Sequence, residues 1–298
     1  MLKKIMLWSA LILAFLGCSD TKEMTKIKGI KEVYTVNYPL YYFTKRMAPE
    51  GIKVLLPMPK DIDPAFWKPT TEDVMGFINA DLIILNGADY AKWVKNFSLP
   101  ESKSVNTSKS FEKELIHIQA KSKHTHGPEG EHSHAGTAFT TWLDMQQAIS
   151  QAKIIKEALI DLEPSQKASI ESKYITLKKE LQALDEAFKG ASLSSQKNII
   201  ASHPIYQYFA RAYGLNIHPL LWEPEMKLDE KAKSDIQKLL KEHPSSLMIW
   251  EGEPSRENRD YVTDLGLKGI VIKPLMNQPE EGDFISGMKE NIKNMNAD

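Results

Sequence analysis

Through the first part of the chain, short apolar runs alternate with amphipathic stretches of about ten residues. Strands are expected at 32–36, 53–56 and 81–85, and helices at 39–47, 71–79 and 89–96. The alternation returns later, with strands expected at 198–201, 216–219, 247–250 and 268–272 and helices at 204–213, 229–242, 255–264 and 283–296. Strands separated by helical crossovers pair in parallel, so the pattern predicts an α/β chain with two parallel, helix-covered sheets.

Between the two halves the period changes. Ile170, Tyr174, Leu177, Leu181, Leu184 and Phe188 recur at spacings of four and three, and neither Gly nor Pro interrupts 165–189. One long helix is expected there, a rigid spine joining two lobes. Ahead of it, Ala148, Ala152, Ile155, Leu159 and Leu162 form a second apolar stripe that stops at Pro164. Both stripes read as core packing. The resulting division is a first α/β lobe over 26–163, a linking helix over 164–190 and a second α/β lobe over 191–298.

The N-terminus follows another pattern. Lys3 and Lys4 precede an apolar run over 5–16, too short to cross a bilayer as a mature helix and typical of a secretory signal. The only cysteine stands at its end, in Phe15-Leu16-Gly17-Cys18. Apart from Phe15, where Leu is usual, this resembles a bacterial lipobox, in which a small residue precedes the cysteine to be lipidated. The expectation is a signal peptide over 1–17, a polar tether over 18–25, and a periplasmic or cell-surface lipoprotein anchored through Cys18 without spanning the membrane. No thiol then remains for a disulfide or for cysteine catalysis.

Composition removes other classes. Hydrophobic residues at 42% and charged residues at 26% fit an ordinary globular protein. A formal net charge of -1 leaves no basic excess to screen a phosphate backbone, which argues against nucleic-acid binding. The chain lacks Gly-x-Ser-x-Gly, His-Glu-x-x-His and a phosphate-cradling glycine loop, so it reads as a binding protein, expected to be a monomer, and not as an enzyme.

The candidate chemistry is imidazole and carboxylate. Segment 121–137 has no apolar periodicity, yet it holds His124, His126, His132 and His134, four of the chain's eight histidines, beside Glu129 and Glu131. Imidazole is the commonest protein ligand for zinc, copper and nickel, so this segment reads as a flexible loop that holds a transition metal. Elsewhere, His203 follows an expected strand, where open α/β sheets bind ligands, and is either a ligand or a structural histidine. Glu251 follows another strand as a spare oxygen donor, while His218 and His243 read as structural or exposed.

Several segments in order along nearly the whole chain carry a resemblance. They are 34–40, Val54-Leu55-Leu56-Pro57, 63–73, Asn79-Ala80-Asp81-Leu82-Ile83-Ile84 with Gly87, Trp142-Leu143-Asp144, His203 with Tyr208-Phe209-Ala210-Arg211-Ala212-Tyr213-Gly214-Leu215, and 282–288. The chain resembles the zinc- and manganese-binding solute-binding lipoproteins of ABC importers, the ZnuA-like or TroA-like group. The resemblance implies two α/β lobes joined by one long helix, with a metal ion, Zn2+ or alternatively Mn2+, held in the cleft and delivered to an importer permease in the membrane.

The resemblance also implies a ligand set, from which this chain departs. Family members usually carry a histidine two residues after the aspartate matching Asp63, where this chain has Ala65. They carry another two residues before Trp142-Leu143-Asp144, where it has Thr140. Matches remain at His203 and Asp283, and two ligands do not close a tetrahedral zinc site. Three completions stay open. Loop histidines enter the cleft, His134 lying six residues before Thr140, a span of roughly 20 Å when extended. Or Asp63 substitutes, giving an oxygen-rich site suited to a harder ion such as manganese. Or the cleft holds no metal and Phe66, Trp67, Trp142 and Trp222 line an organic-ligand site, although Trp142 reads better as core. An adhesive or structural surface lipoprotein on the same scaffold is the alternative role.

Overall fold

The computed structural model describes residues 29–297 apart from 119–122, 127–129, 134, 135, 192, 194 and 195, and gives only the backbone for 123–126 and 130–133. The signal segment, Cys18 and His134 lie outside the described residues.

The first half runs β1 (Lys31–Thr35), α1 (Tyr38–Met47), β2 (Ile52–Leu55), α2 (Thr71–Asn79), β3 (Leu82–Leu85) and β4 (Ser104–Asn106). Next come the short strands β5 (His117–Ile118), β6 (Lys123–His126), β7 (Gly130–Ser133) and β8 (Gly136–Thr137), and then α3 (Met145–Leu162) and α4 (Lys167–Lys189). The second half is β9 (Ile199–Ala201), α5 (Gln207–Tyr213), β10 (Ile217–Pro219), α6 (Glu230–Glu242), β11 (Leu247–Trp250), α7 (Arg256–Asp264), β12 (Lys268–Val271) and α8 (Phe284–Met295).

Two four-stranded sheets result, ordered β2-β1-β3-β4 and β10-β9-β11-β12, and every pairing in them is parallel. Both halves are therefore wound alike, their first strand flanked by their second and third. The helix starts are written locally. Asn37 caps α1 by accepting from the Leu40 amide, Thr70 and Asp73 form a capping box on α2, and Asp229 caps α6.

Three expectations change. β4 escaped sequence reading because Ser104-Val105-Asn106 has one apolar residue and no period; it is a strand because β3 supplies its partner, Ile84 opposite Val105. The helix expected over 89–96 shrinks to a 3-10 turn at Lys92–Asn96, because Ala88 and Asp89 take left-handed φ values of 52° and 58° that an α-helix does not admit. Within segment 121–137 the described residues form strands, where an irregular loop is expected. β6 and β7 pair antiparallel, His124 opposite His132, while β5 pairs with β8. Its period of two is written in polar residues, His-Thr-His and Glu-His-Ser, which a search for apolar alternation does not register.

The linking helix forms as expected. A 3-10 turn at Pro164–Gln166 leads into α4, which buries Ile170, Leu177, Leu181, Leu184 and Phe188 and packs against α1 and α3 of the first half and α8 of the second. The buried Asp185 of α4 ties further elements together, accepting hydrogen bonds from Gln146 of α3, Tyr213 of α5 and Lys189. Lys31–Asp298 accordingly forms one compact unit. Hydrogen bonds join the two halves directly: Tyr38, after β1, donates its backbone N–H to Met276 O at 3.0 Å, and Thr140 its hydroxyl to Ile205 O, after β9. Among the described residues no helix is long and apolar enough to cross a membrane.

Because Leu181 is fully buried on α4 whereas Ile175 is 53% exposed on the same helix, Leu181→Ala is expected to cost about 2–5 kcal/mol and Ile175→Ala less than about 0.5 kcal/mol. Urea unfolding of the two variants checks this.

Candidate metal centre

His203 stands two residues beyond β9, on backbone that continues the sheet: Ser202 donates its N–H to Ile249 O of β11 at 2.8 Å, and Trp222 donates to Ser202 O at 2.8 Å. That last bond draws the segment after β10 alongside β9 and delivers Glu223. Glu251 directly follows β11, its N–H 3.4 Å from Ser202 Oγ. Three neighbouring strands thus end in three donors at one place, the end of a parallel sheet where ligand crevices form.

The geometry is close. His203 Nδ1 lies 3.5 Å from Glu223 Oε1 and 3.6 Å from Glu251 Oε1, and one donor atom from each residue lies within 4.8 Å of the others. Among the described residues this is the only such group of three. The His203 and Glu251 side chains are 5% and 13% exposed, and Glu223 at 39% faces solvent. Burial pushes the Glu251 carboxyl well above its ordinary range, and the charges of Glu223 and Asp63 push the same way. One imidazole and two crowded carboxylates suit a divalent cation, which neutralises the repulsion and accepts all three donors. The residues therefore fit a metal.

The first half contributes Asp63. Its Oδ1 accepts the Ala65 amide at 2.8 Å, which closes the turn after β2, and its charge reaches both Glu251 and the buried Tyr90. Burial, and then that charge, raise the Tyr90 hydroxyl well above its ordinary value. Ala65 and Thr140, at the positions where the resemblance puts histidines, are both buried, and the Thr140 hydroxyl is engaged by Ile205 O, two residues beyond His203.

The remaining candidates are placed elsewhere. Asp283 does not join the cluster. It caps α8 in a capping box with Ser286 and accepts the Tyr42 hydroxyl at 3.1 Å. Burial acts to raise its carboxyl, but Ser286, Tyr42 and Arg46 outweigh this and hold it below the ordinary range. His124, His126 and His132 belong to the β6–β7 hairpin. Trp142 is core as expected, fully buried with its indole N–H donated to Pro274 O at 2.7 Å. Trp67 packs against Trp93 and Trp222 against Trp250, while Phe66 is half-buried under Lys92. His218 and His243 stack with ring centroids 3.6 Å apart, and His218 Nε2 lies 3.2 Å from Asn198 Oδ1, a structural pair. Sequence reasoning missed Glu223; the available signal was an acidic residue following an expected strand, the same signal that marked Glu251.

The sequence pattern of the family described as zinc-uptake complex component A, periplasmic, matches residues 33–297. The chain belongs to this zinc-uptake family. Its relatives there include the zinc-binding lipoprotein AdcA of Streptococcus pneumoniae, 26% identical over 306 residues that cover 98% of this chain and 60% of AdcA. The chain thus spans about 60% of the length of that relative. The high-affinity zinc uptake system protein ZnuA of Bacillus subtilis is 29% identical over 305 residues, covering 95% of this chain and 92% of ZnuA. The crystal structure of the Zn(II)-bound ZnuA-like domain of S. pneumoniae AdcA matches with a TM-score of 0.74 at 21% identity, over 90% of this chain and all of that domain, and so has the same fold.

A carboxyl whose folded-state value lies above its ordinary 4.5 favours the fold when protonated. That stability is present in full below about pH 4.5 and is lost as pH rises through the raised value. In metal-free protein, Glu251→Gln is therefore expected to raise the melting temperature at about pH 7.5 and to leave it unchanged near pH 4, as thermal melts in chelator across this range would register.

Proposed function

We propose that the chain is the extracytoplasmic metal-capturing component of an ABC uptake system. It binds a divalent ion at His203, Glu223 and Glu251, with Asp63 completing the set from the other half, and passes the ion to a membrane permease. Zinc is the first cargo, in keeping with the family and with the presence of an imidazole. Manganese is the alternative, because three of the four donors would be carboxylates. The observation that carries the reading is the meeting of three donors from three strand ends within 4.8 Å, beside a carboxylate of the opposite half.

Cys18 provides the anchor in this reading, and the signal segment places the chain outside the cytoplasm. The hairpin carrying His124, His126 and His132, followed by His134, acts as a second, looser metal holder. Capture and release involve modest lobe movement, because α4 packs on helices of both halves.

The test is a zinc titration by calorimetry on chelator-stripped protein, comparing the intact chain with His203→Ala, Glu223→Gln and a variant lacking 123–135. His203→Ala is expected to weaken tight binding by on the order of a hundredfold or more, since even residues outside a metal's ligand shell cost 10- to 100-fold. The loop deletion is expected to remove weaker sites only. If His203→Ala binds zinc like the intact chain, the cluster is not the capture site. Affinity should also fall as pH drops below about 6.5, because an imidazole binds metal only when neutral and a protonated Glu251 no longer offers a charge; constant affinity between about pH 5 and 8 excludes this donor set.

A further inference from the structure

The segment between β12 and α8 crosses to the first half and is held there at successive positions. Trp142 Nε1 donates to Pro274 O at 2.7 Å, and the Tyr38 N–H donates to Met276 O at 3.0 Å. Asn277 follows, its Nδ2 donating to two carbonyls of the first half, Pro59 O at 2.7 Å and Ile62 O at 2.8 Å. Its Oδ1 accepts the Gln278 amide at 2.8 Å, so every polar atom of the carboxamide is engaged and its orientation is set. Between these contacts, Leu275 holds a left-handed φ of 55° with its side chain buried near Gly287. A branched side chain takes that conformation only where its surroundings over-determine it, a kind of strain that collects at ligand clamps.

Ile62 directly precedes Asp63. We propose that Asn277 is a positioning residue for the metal: reaching from the second half, it clamps the 59–62 turn and so fixes the adjoining Asp63 relative to the cluster of His203, Glu223 and Glu251. The inference rests on the function proposed above. Asn277 would touch no metal yet govern retention, because its carboxamide ties the 59–62 turn of the first half to the second half. Only a donor of two hydrogens performs this role. Aspartate, of the same size, keeps the bond from the Gln278 amide and donates nothing to Pro59 or Ile62.

The experiment compares Asn277→Asp with Asn294→Asp in the full chain. Asn294 donates to Val271 O at 2.9 Å within the second half, so its variant loses a bond of the same type without crossing between halves. Zinc dissociation is followed by stopped flow against excess chelator, and amide exchange over 60–66 is followed without metal. Asn277→Asp is expected to release zinc on the order of tenfold faster, the loss of two hydrogen bonds offset in part by water, and to exchange faster over 60–66. Asn294→Asp should leave both readouts unchanged even if it lowers the melting temperature as much. Unchanged exchange over 60–66 in Asn277→Asp, or faster exchange with unchanged release, overturns the clamp. Absence of zinc binding in the unmodified chain, or binding insensitive to His203→Ala, defeats the underlying capture reading instead, and the clamp with it.

Discussion

A buried carboxylate beside a second carboxylate is the constraint on which this molecule turns. Glu251 is withdrawn from water next to Glu223 and within reach of Asp63, and the one imidazole among them is neutral when it acts as a ligand. Left alone, such a group favours its protonated form, because taking a charge out of water is costly and like charges add to the cost. A divalent cation reverses the sign of both contributions. In the proposed capture role the site would be disfavoured by itself and favoured with cargo, the tension of the metal-free state being released on binding.

The fold supplies the two things this site needs, convergence and rigidity. Parallel strands all end on one edge of their sheet, so three neighbouring strands deliver three side chains to one point without any long loop. Rigidity comes from α4, packed on helices of both halves, and from Asp185 within it, whose buried carboxylate is satisfied by α3, α5 and its own Lys189. Backbone and side-chain hydrogen bonds from Tyr38, Thr140, Trp142 and Asn277 also join the halves directly.

Much of the architecture was legible because it is written in local periodicity. The spine helix announces itself by an uninterrupted stripe at spacings of three and four, and β11 and α2 fall at the expected residues, Leu247–Trp250 and Thr71–Asn79. What escaped lacks such a signal. β4 is a strand only because β3 lies beside it, the β6–β7 hairpin alternates in histidine, threonine and glutamate instead of apolar residues, and the turn at Ala88 and Asp89 interrupts a stretch that otherwise reads as helical.

The site divides in the same way. By itself the sequence determined the α/β class, the two halves and their linking helix, the family resemblance, and the candidacy of His203 and Glu251 as residues that follow strands. Strand order decided the rest. Glu223 became a partner of His203 because β10 lies next to β9, and Asp63 came within range of Glu251 because segments of the two halves are bonded to one another; neither neighbourhood is encoded in spacing along the chain. Asp283, which the resemblance singled out, stands outside the His203 cluster, caps α8 and accepts from Tyr42, more than two hundred residues away. Periodicity reports which face of an element is buried, whereas the meeting of charges across a cleft depends on how whole elements are stacked.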